Sequence, residues 1–335
     1  MEPIVLPPNQ LHRFYRGGRR IKALRGSVNV DPYAPEEWIA SMTSPFGEPD
    51  VGIAVLPDGR SLPDAIAAEP EAFLGPQHLA RFGPDVAVLI KLLDAAERLP
   101  VHLHPDDDFA RAHLGSQWGK TEAWIILEAE RGAAVQVGFR ERVALDTVAG
   151  WVQSQDAGAM LSSLHPVTVA AGDTIFVPAG TPHAIGEGIL LAELQQPTDF
   201  SLLLEWKDFA DDEEAASLGL GFDVALQALN LEPWSEDDLA RARSRRRSDR
   251  GGARLFPSEA DAYFRAELVS DGDRLRQEFA VLLVAAGNGV VRGDDWKLDI
   301  DTGDAILVPY AAGAHVLEGS AYVLRCMAPD PSTPS

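Results

Sequence analysis

The sequence of 335 residues predicts a mainly β protein built from two barrels, with a small helical segment. Short apolar segments separated by glycine and proline recur along the chain, and such punctuation indicates a sandwich or a barrel. In addition, the motif Gly172-Asp-Thr-Ile-Phe-Val-Pro178 recurs as Gly303-Asp-Ala-Ile-Leu-Val-Pro309. A repeated Gly-Asp turn before an apolar segment implies two copies of one supersecondary unit.

Residues 1–207 form the first predicted domain. Residues 1–60 mix short apolar runs with glycine and proline, which favours strands and loops. Residues 61–82 have a helical pattern, with candidate core contacts at Leu62, Ile66, Phe73 and Leu79. The other predicted strands of this domain are apolar and bounded by turn residues: 86–93, 99–104, 122–128, 133–139, 167–170, 174–178 and 189–194.

Residues 208–250 are predicted to form a helical segment and a basic linker. Phe222, Val224, Leu226 and Leu229 belong to the helical part, and the basic run spans 241–250. A basic run can bind nucleic acid, but a solvated linker is the favoured interpretation in a strongly acidic chain. Residues 251–335 form the second predicted domain, a degenerate copy of the first, with strands at 278–285, 290–292, 305–308 and 321–325.

The overall charge limits the partners that the chain can have. The sequence has 29 lysines and arginines against 51 acidic residues, a formal net charge of −22. This charge argues against nucleic acid and anionic membranes, which bind basic surfaces. The single cysteine, Cys326, rules out an internal disulfide framework, and residues 1–8 have no signal-peptide pattern. A cytoplasmic protein is therefore expected.

Four residues have the order and spacing of one metal site on a β-barrel: His102, His104, Glu122 and His183. The first two are two residues apart in a predicted strand, so both imidazoles project to the same face. Buried imidazoles are costly unless a partner satisfies them, and a metal ion does so. Nitrogen and carboxylate ligands suit one Zn²⁺ per chain better than Mn²⁺ or Fe²⁺.

The remaining histidines carry no such pattern. His12, His78, His113 and His165 are interpreted as surface or satisfied core residues. His315 is the near-counterpart of His183 in the second copy of the motif, but that copy has no His-x-His or Lys-x-Glu sequence. We therefore expect His315 to be structural.

Lys120 lies two residues before Glu122, which places both side chains on one face of a strand. Two roles for Glu122 follow, as a metal ligand and as an ion-pair partner of Lys120, and they are compatible. The ammonium group of Lys120 would then reach toward a substrate, where it suits proton transfer or the binding of an anion.

At several segments the chain resembles the type I mannose-6-phosphate isomerases of the cupin superfamily. The resemblance covers roughly residues 10–230, with a weaker match in the tail. The matching segments are Glu37-Trp-Ile-Ala-Ser41, Leu89-Ile-Lys-Leu-Leu-Asp-Ala-Ala-Glu-Arg-Leu99, Val101-His-Leu-His-Pro-Asp-Asp107, Gly119-Lys-Thr-Glu-Ala-Trp124, Gly172-Asp-Thr-Ile-Phe-Val-Pro-Ala-Gly-Thr-Pro-His-Ala184 and Glu193-Leu-Gln-Gln-Pro-Thr-Asp199.

This resemblance implies two cupin barrels and a Zn²⁺ enzyme that interconverts mannose 6-phosphate and fructose 6-phosphate through a cis-enediol. It places the family's metal ligands on His102, His104, Glu122 and His183. The family often has glutamine at the first of these positions. It also implies that Lys120 and Asp199 take part in catalysis or in substrate binding. Isomerisation needs a base near the C2 proton and an electrophile at the carbonyl, which a bound metal provides.

One position departs from the family pattern. Four residues after Asp199 the family carries an arginine credited with stabilising the enediol or holding the phosphate, and this chain has Leu203. Leucine carries no charge and donates no hydrogen bond. Two explanations follow: a basic group from the cluster at residues 13–22 replaces the arginine, or the substrate carries no phosphate.

Three functions remain open on the sequence alone. The first is the isomerase of mannose 6-phosphate and fructose 6-phosphate. The second is an isomerase of an unphosphorylated or different sugar, which Leu203 motivates. The third is a non-catalytic sugar-binding cupin, against which Lys120 and Asp199 argue because a pure binder needs no proton-transfer groups. In each case the partner is a small sugar or sugar phosphate.

Overall fold

The structure is a computed structural model that describes residues 1–245 and 253–332. Antiparallel strands in four sheets dominate it, which confirms the mainly β prediction. The strands before residue 210 are β1 (Ile4–Val5), β2 (Gln10–Leu11), β3 (Glu36–Ile39), β4 (Leu89–Ala95), β5 (His102–Leu103), β6 (Glu122–Ala129), β7 (Ala134–Phe139), β8 (Leu164–Thr168), β9 (Asp173–Val177), β10 (His183–Ile185), β11 (Ile189–Gln195) and β12 (Leu202–Leu203).

The strands after residue 240 are as short as the earlier ones. They are β13 (Arg243–Arg245), β14 (Ala253–Arg254), β15 (Arg265–Val269), β16 (Arg274–Leu275), β17 (Ala280–Ala286), β18 (Asn288–Arg292), β19 (Lys297–Asp301), β20 (Ala305–Val308), β21 (His315–Gly319) and β22 (Tyr322–Met327).

The helices are short and mostly precede residue 245. They are α1 (Arg19–Arg25), α2 (Leu62–Ala68), α3 (Pro70–Leu74), α4 (Pro76–Phe82), α5 (Asp107–His113), α6 (Leu145–Ser154), α7 (Ala157–Ser163), α8 (Glu213–Ala216), α9 (Phe222–Ala225) and α10 (Glu236–Ala242), with single 3₁₀ turns at Leu226–Ala228, Ser258–Ala262 and Tyr310–Ala312. Among the described residues, no helix combines the length and the apolar character needed to cross a membrane.

The four sheets form two pairs that repeat one strand order. In the first pair, a seven-stranded sheet runs β13-β9-β6-β11-β4-β3-β2 and a five-stranded sheet runs β12-β5-β10-β7-β8. In the second pair, a six-stranded sheet runs β1-β20-β17-β22-β15-β14 and a four-stranded sheet runs β16-β21-β18-β19. The order β9-β6-β11-β4 thus corresponds to β20-β17-β22-β15, and β5-β10-β7-β8 corresponds to β16-β21-β18-β19.

The repeated Gly-Asp turn has the same geometry in both copies. Gly172 and Gly303 have φ angles of 88° and 94°, in the left-handed region that favours glycine. The amide of Gly172 donates to the carbonyl of Ile126 in β6, and that of Gly303 donates to Val284 in β17, each at 2.8 Å. The internal repeat inferred from the sequence motif is therefore present in the structure.

The predicted helical segment at 61–82 is divided into three helices. Its candidate core residues Leu62, Ile66 and Phe73 are buried, while Leu79 is half-buried. Pro70 begins α3 and Pro76 begins α4. Because proline disfavours helical geometry at the residue before it, one continuous helix cannot form here. The predicted helical segment is thus present as three consecutive helices.

Two strands pair with strands that lie on the other side of a predicted domain boundary. β1 pairs with β20 in the sheets of the second copy, and β13 pairs with β9 in the sheets of the first. The predicted region 208–250 contains α8, α9 and α10, and residues 246–250 of its basic run lie outside the described residues. The division at residues 207 and 250 stays a prediction.

Arg25, at the end of α1, joins the two copies. Its Nε donates to Glu37 Oε1 at 2.7 Å, its Nη2 donates to the carbonyl of Leu6 at 3.0 Å, and its Nη1 donates to the carbonyl of Gly303. The Arg25 side chain is 3% exposed and that of Glu37 is 1% exposed. Burial raises the pKa of Glu37, and Arg25 opposes this effect.

We expect Arg25→Met to lower the free energy of unfolding by about 3–5 kcal/mol, because it leaves the Glu37 carboxylate buried without its partner. Urea titration followed by circular dichroism measures this loss. Arg19→Met, on the exposed face of the same helix, is the control and should stay within about 0.5 kcal/mol of the wild type. A double variant with Glu37→Gln should be more stable than Arg25→Met alone; further destabilisation would contradict the ion-pair explanation.

Candidate metal centre and active site

Neighbouring strands bring the three predicted histidine ligands together. β5 and β10 are antiparallel neighbours, with His102 directly opposite His183. His104 follows two residues after His102, and its ring centroid lies 5.0 Å from that of His102 and 4.9 Å from that of His183. One ring nitrogen from each residue lies within 4.8 Å of the other two, a spacing that one metal ion can bridge.

Glu122 reaches this cluster from the opposite sheet. It begins β6 in the seven-stranded sheet, whereas His102 and His183 belong to the five-stranded sheet and His104 directly follows β5. Its Oε2 lies 3.0 Å from His104 Nε2, and its Oε1 lies 3.3 Å from His183 Nε2. Trp124 Nε1 donates to Oε1 at 3.1 Å, which fixes the carboxylate. The candidate centre thus forms where the two sheets face each other.

The hydrogen bonds of the three histidines determine which ring nitrogens are free. The Nδ1 atoms of His102, His104 and His183 lie 2.8, 2.8 and 2.9 Å from the backbone carbonyls of residues 100, 200 and 181. A carbonyl only accepts, so each Nδ1 carries the proton and each Nε2 keeps its lone pair. The Nε2 atoms of His104 and His183 are buried without a hydrogen-bond partner among the described residues.

The electrostatics of this cluster suit a cation. Burial and the neighbouring His183 hold the pKa of His102 well below its usual range, and burial and Lys120 lower that of His104 to about 3. Burial would raise the pKa of Glu122, but His104 and Lys120 outweigh it and the pKa is lowered. Neutral imidazoles and an ionised carboxylate are the ligand forms that Zn²⁺ binds. The residues present therefore fit a zinc ion.

The loop that carries Lys120 is fixed by its backbone. A Cβ on Gly119 would lie 2.3 Å from the carbonyl oxygen of Pro105, so only glycine fits this close approach. Asp107 Oδ1 accepts from the amide of Gly119 at 2.7 Å, and the amide of Lys120 donates to Pro105 at 2.9 Å. Lys120 Nζ consequently lies 3.4 Å from Oε2 of Glu122, as the i,i+2 spacing predicted.

A second buried group of charges adjoins the centre. Lys91 Nζ lies 3.2 Å from Asp199 Oδ1, 3.4 Å from Glu36 Oε2 and 3.7 Å from Glu193 Oε1. Arg13 Nη2 donates to Asp199 Oδ2 at 2.9 Å. Of these five residues the sequence predicted a role for Asp199, and it offered Arg13 only as one member of the basic cluster that could replace the missing arginine. Glu193 carries a usable signal, since it is the single charge within the apolar strand β11 and pairs directly with Lys91 of β4.

Two of the three acids around Lys91, Asp199 and Glu193, have opposite pKa shifts. Burial would raise the pKa of Asp199, but Arg13 and Lys91 outweigh it, so this carboxyl stays ionised. Burial and the charge of Glu122 raise the pKa of Glu193 to about 7. A carboxyl whose pKa is raised toward neutrality is suited to accept and return a proton.

Two connected cavities give access to these residues. An inner cavity of about 40 Å³ is lined by His102, Lys120 and Glu122 together with the second charged group. An outer cleft of about 1360 Å³ opens from it toward solvent. Leu203, which lies in β12 opposite His102, lines both cavities and contributes no charge to either.

Comparison with known proteins gives relatives of one kind. No protein-family model matches the chain. A mannose-6-phosphate isomerase of Streptococcus mutans is 32% identical over 215 residues, which is 63% of each chain and so less than two thirds of that relative. A mannose-6-phosphate isomerase of Bacillus subtilis is 29% identical over 245 residues, 71% of this chain and 74% of the relative. The chain is a relative of the mannose-6-phosphate isomerases.

The predicted resemblance to this family is thereby confirmed, and solved structures agree with it in fold. The mannose 6-phosphate isomerase of Bacillus subtilis has a TM-score of 0.76 with 21% identity, over 97% of this chain and 99% of that one. A mannose 6-phosphate isomerase bound with zinc and yttrium has a TM-score of 0.74 with 17% identity, over 98% and 100% of the two chains.

The second copy does not repeat the facing pair of His102 and His183. His315 begins β21 as His183 begins β10, and its ring is likewise buried with a free Nε2. However, the residue directly opposite His315 is Leu275, where His102 stands opposite His183. Leu275 packs in the apolar core of the second copy.

The second copy also lacks a carboxylate at the position that corresponds to Glu122. Glu122 lies opposite Val177 across β6 and β9, and in the second copy Val308 lies opposite Ala280. Alanine thus occupies the position that corresponds to Glu122. Only one of these three corresponding positions keeps a metal-binding side chain, in line with the prediction that His315 is structural.

The remaining histidines have ordinary surroundings, as their sequence context predicted. His12 lies 2.7 Å from Asp31 at the surface, and His113 packs against Phe109. Ring nitrogens of His78 and His165 lie within 2.9 Å of backbone carbonyls. None of these four residues lies in the three-histidine cluster.

Proposed function

We propose that the protein is a zinc-dependent aldose–ketose isomerase that interconverts mannose 6-phosphate and fructose 6-phosphate. The observation that carries this proposal is the buried cluster of three imidazoles beside Glu122, in which His102 and Glu122 line one cavity with Lys120. The similarity to mannose-6-phosphate isomerases supports the substrate, and the zinc-bound relative supports the metal.

The proposed zinc ligands are His102, His104, Glu122 and His183. Each imidazole already donates its Nδ1–H to a backbone carbonyl, which orients the ring before any ion binds. Zinc in such a site acts as a Lewis acid that polarises a carbonyl or lowers the pKa of bound water.

The proposed roles in sugar binding, proton transfer and positioning fall to three further residues, Lys120, Glu193 and Asp199. The buried Lys120 faces the inner cavity and is proposed to hold a sugar oxygen and to move a proton there. The pKa of Glu193, near 7, matches a group that removes a proton at one carbon and returns it at the next. Asp199 stays in the proposed site, and its pairing with Arg13 and Lys91 supports a positioning role over proton transfer.

A second candidate is an isomerase of an unphosphorylated sugar. The presence of Leu203 and the acidic residues of the outer cleft favour it, since both reduce the local positive charge that a phosphate needs. The two candidates differ in one measurement, the ratio of kcat/KM for mannose 6-phosphate to that for mannose.

The arrangement of the fold is part of the proposal. The repeated strand order supports two cupin barrels, a catalytic one within residues 1–207 and a degenerate one within 251–335, joined by the helical region between them. The absence of a basic surface charge and the small-molecule site support a cytoplasmic enzyme with a sugar phosphate as its partner.

Metal removal tests the function directly. We expect dialysis against a chelator to abolish isomerisation of mannose 6-phosphate, and addition of one equivalent of Zn²⁺ to restore it. Production of fructose 6-phosphate in a coupled assay measures turnover, with a chelator-treated sample reloaded with Mg²⁺ as the control. A zinc-loaded protein that interconverts neither phosphorylated nor free aldoses would refute the proposal, and turnover of free sugars alone would favour the second candidate.

A further inference from the structure

Arg13 lies at the neck between the two cavities. It lines both the inner cavity and the outer cleft, together with Phe14, Asp199, Ser201 and Leu203. A molecule that extends from the inner cavity into the cleft must therefore pass the Arg13 side chain.

The guanidinium group of Arg13 is held in place with one edge left free. Its Nη2 donates to Asp199 at 2.9 Å, its Nε lies 3.2 Å from Glu36 Oε1, and its Cζ lies 5.9 Å from the ring centroid of Trp38. The side chain is 13% exposed. Its Nη1 makes no hydrogen bond to any residue that the structure describes. A fixed, partly desolvated guanidinium with a free donor is a site for an oxyanion.

The charges around the neck make Arg13 the cation that an anionic group would meet. Lys207 is the other lysine or arginine among the residues lining the cleft, but it is exposed and therefore strongly hydrated. Leu203 supplies no charge. The acidic side chains of the cleft wall, which repel an anion, are Glu48, Asp199, Asp208, Asp211, Asp212 and Glu214, of which Asp199 is paired with Arg13.

The size of the inner cavity decides where a phosphate can lie. Its volume of about 40 Å³, counted as space for the centres of water molecules, is about three to four times the ~10–15 Å³ that one water needs on the same measure, so it admits one end of a hexose and not the whole sugar. If the reacting carbons C1 and C2 lie beside Lys120 and Glu122, the rest of the chain extends outward. The phosphate on C6 then lies in or beyond the neck.

We propose that Arg13 binds the phosphate of the sugar phosphate substrate and so sets the preference for phosphorylated sugars. This inference rests on the proposed isomerase function, because that function places the reacting carbons in the inner cavity. The role of Arg13 is substrate binding and requires no proton transfer from it.

Binding of mannitol 6-phosphate and of mannitol to the zinc-loaded protein tests the proposal. Neither compound has a carbonyl group to react, so calorimetry reports affinity separately from turnover. We expect Arg13→Gln to weaken mannitol 6-phosphate binding by roughly 10- to 100-fold, the usual range for a lost hydrogen bond to a charged group. Mannitol binding should stay unchanged. Arg16→Gln is the control, since Arg16 lies at the surface against Tyr33 and lines neither cavity.

The outcomes separate this inference from the function on which it rests. Equal affinity of the wild type and Arg13→Gln for mannitol 6-phosphate would overturn the role of Arg13, as would equal weakening for both ligands, which would mean that Arg13 acts by positioning Asp199. A wild type that neither binds mannitol 6-phosphate nor isomerises mannose 6-phosphate would overturn the proposed function and the inference with it. If Arg13→Gln does not fold, Arg13→Met, which keeps the length of the side chain and removes the charge, decides: a phosphate-specific loss supports the role, and no loss overturns it.

Discussion

Replacing His104 with alanine is expected to lower the bound zinc from one ion per chain to well below it and to abolish isomerisation. The Nε2 of His104 is buried and has no hydrogen-bond partner among the described residues. It lies 3.0 Å from Glu122 Oε2, and the His104 ring centroid lies 4.9 Å from that of His183. Loss of a group that merely supports a ligand costs roughly 10–100-fold in metal affinity, so loss of a ligand costs more. Glu122→Ala should behave in the same way. Elemental analysis by mass spectrometry measures the zinc content of each variant.

The second copy of the fold supplies a matched control for this experiment. His315→Ala also removes a buried histidine whose Nε2 has no partner among the described residues, but at a position that faces Leu275. It should keep one zinc ion per chain and full turnover. Full zinc occupancy in His104→Ala or in Glu122→Ala would show that the ligand assignment is wrong.

Lys120→Ala is expected to keep the zinc ion and to reduce kcat for mannose 6-phosphate by about 10²–10⁴, the usual contribution of a group that transfers a proton. The three histidine ligands do not depend on Lys120, because each imidazole is oriented by a backbone carbonyl, and Glu122 keeps its hydrogen bond from Trp124. Steady-state kinetics together with zinc analysis of the same sample separates the two effects.

Lys297→Ala, at an exposed position of the second copy, is the control for a lost lysine and should match the wild type in both measurements. If Lys120→Ala turns over at the wild-type rate, its catalytic role fails. If it loses zinc as well as turnover, Lys120 belongs to the structural support of the metal centre.

The sequence was informative about the candidate metal site because the signal is local. His102 and His104 are two residues apart, and Lys120 and Glu122 repeat that spacing. In the structure β5 ends at Leu103 and β6 begins at Glu122, so strand alternation alone does not place the two pairs. The order and spacing of the four residues predicted one metal site, and the family resemblance then related that site to sugar isomerisation.

The second charged group could not be predicted in this way. Arg13, Glu36, Lys91, Glu193 and Asp199 come from five separate segments, and their contacts depend on how the strands pair. Arg13 in particular lies in a cluster of basic residues that reads as a solvated loop. Its burial against Asp199, which follows 186 residues later, is a purely tertiary effect.

Secondary structure was predictable where the elements are long enough to show a period. The predicted strand 122–128 corresponds closely to β6, and 305–308 corresponds to β20. Strands of two or three residues such as β5, β10 and β12 are too short to show alternation, although they carry or flank the histidines. Their positions follow from pairing across the sheet.

The second copy of the fold shows what the strand arrangement requires in order to form. At two of the three compared positions it has Leu275 and Ala280, and it completes the same strand order with an apolar core. Hydrophobic packing therefore suffices to assemble this unit, unlike small zinc domains that unfold without their ion. The copy that carries His102, His104 and His183 is therefore expected to fold first and to bind zinc afterwards. It should also release and rebind that ion in the folded state, so the metal supply in the cell can regulate activity without changing the amount of folded protein.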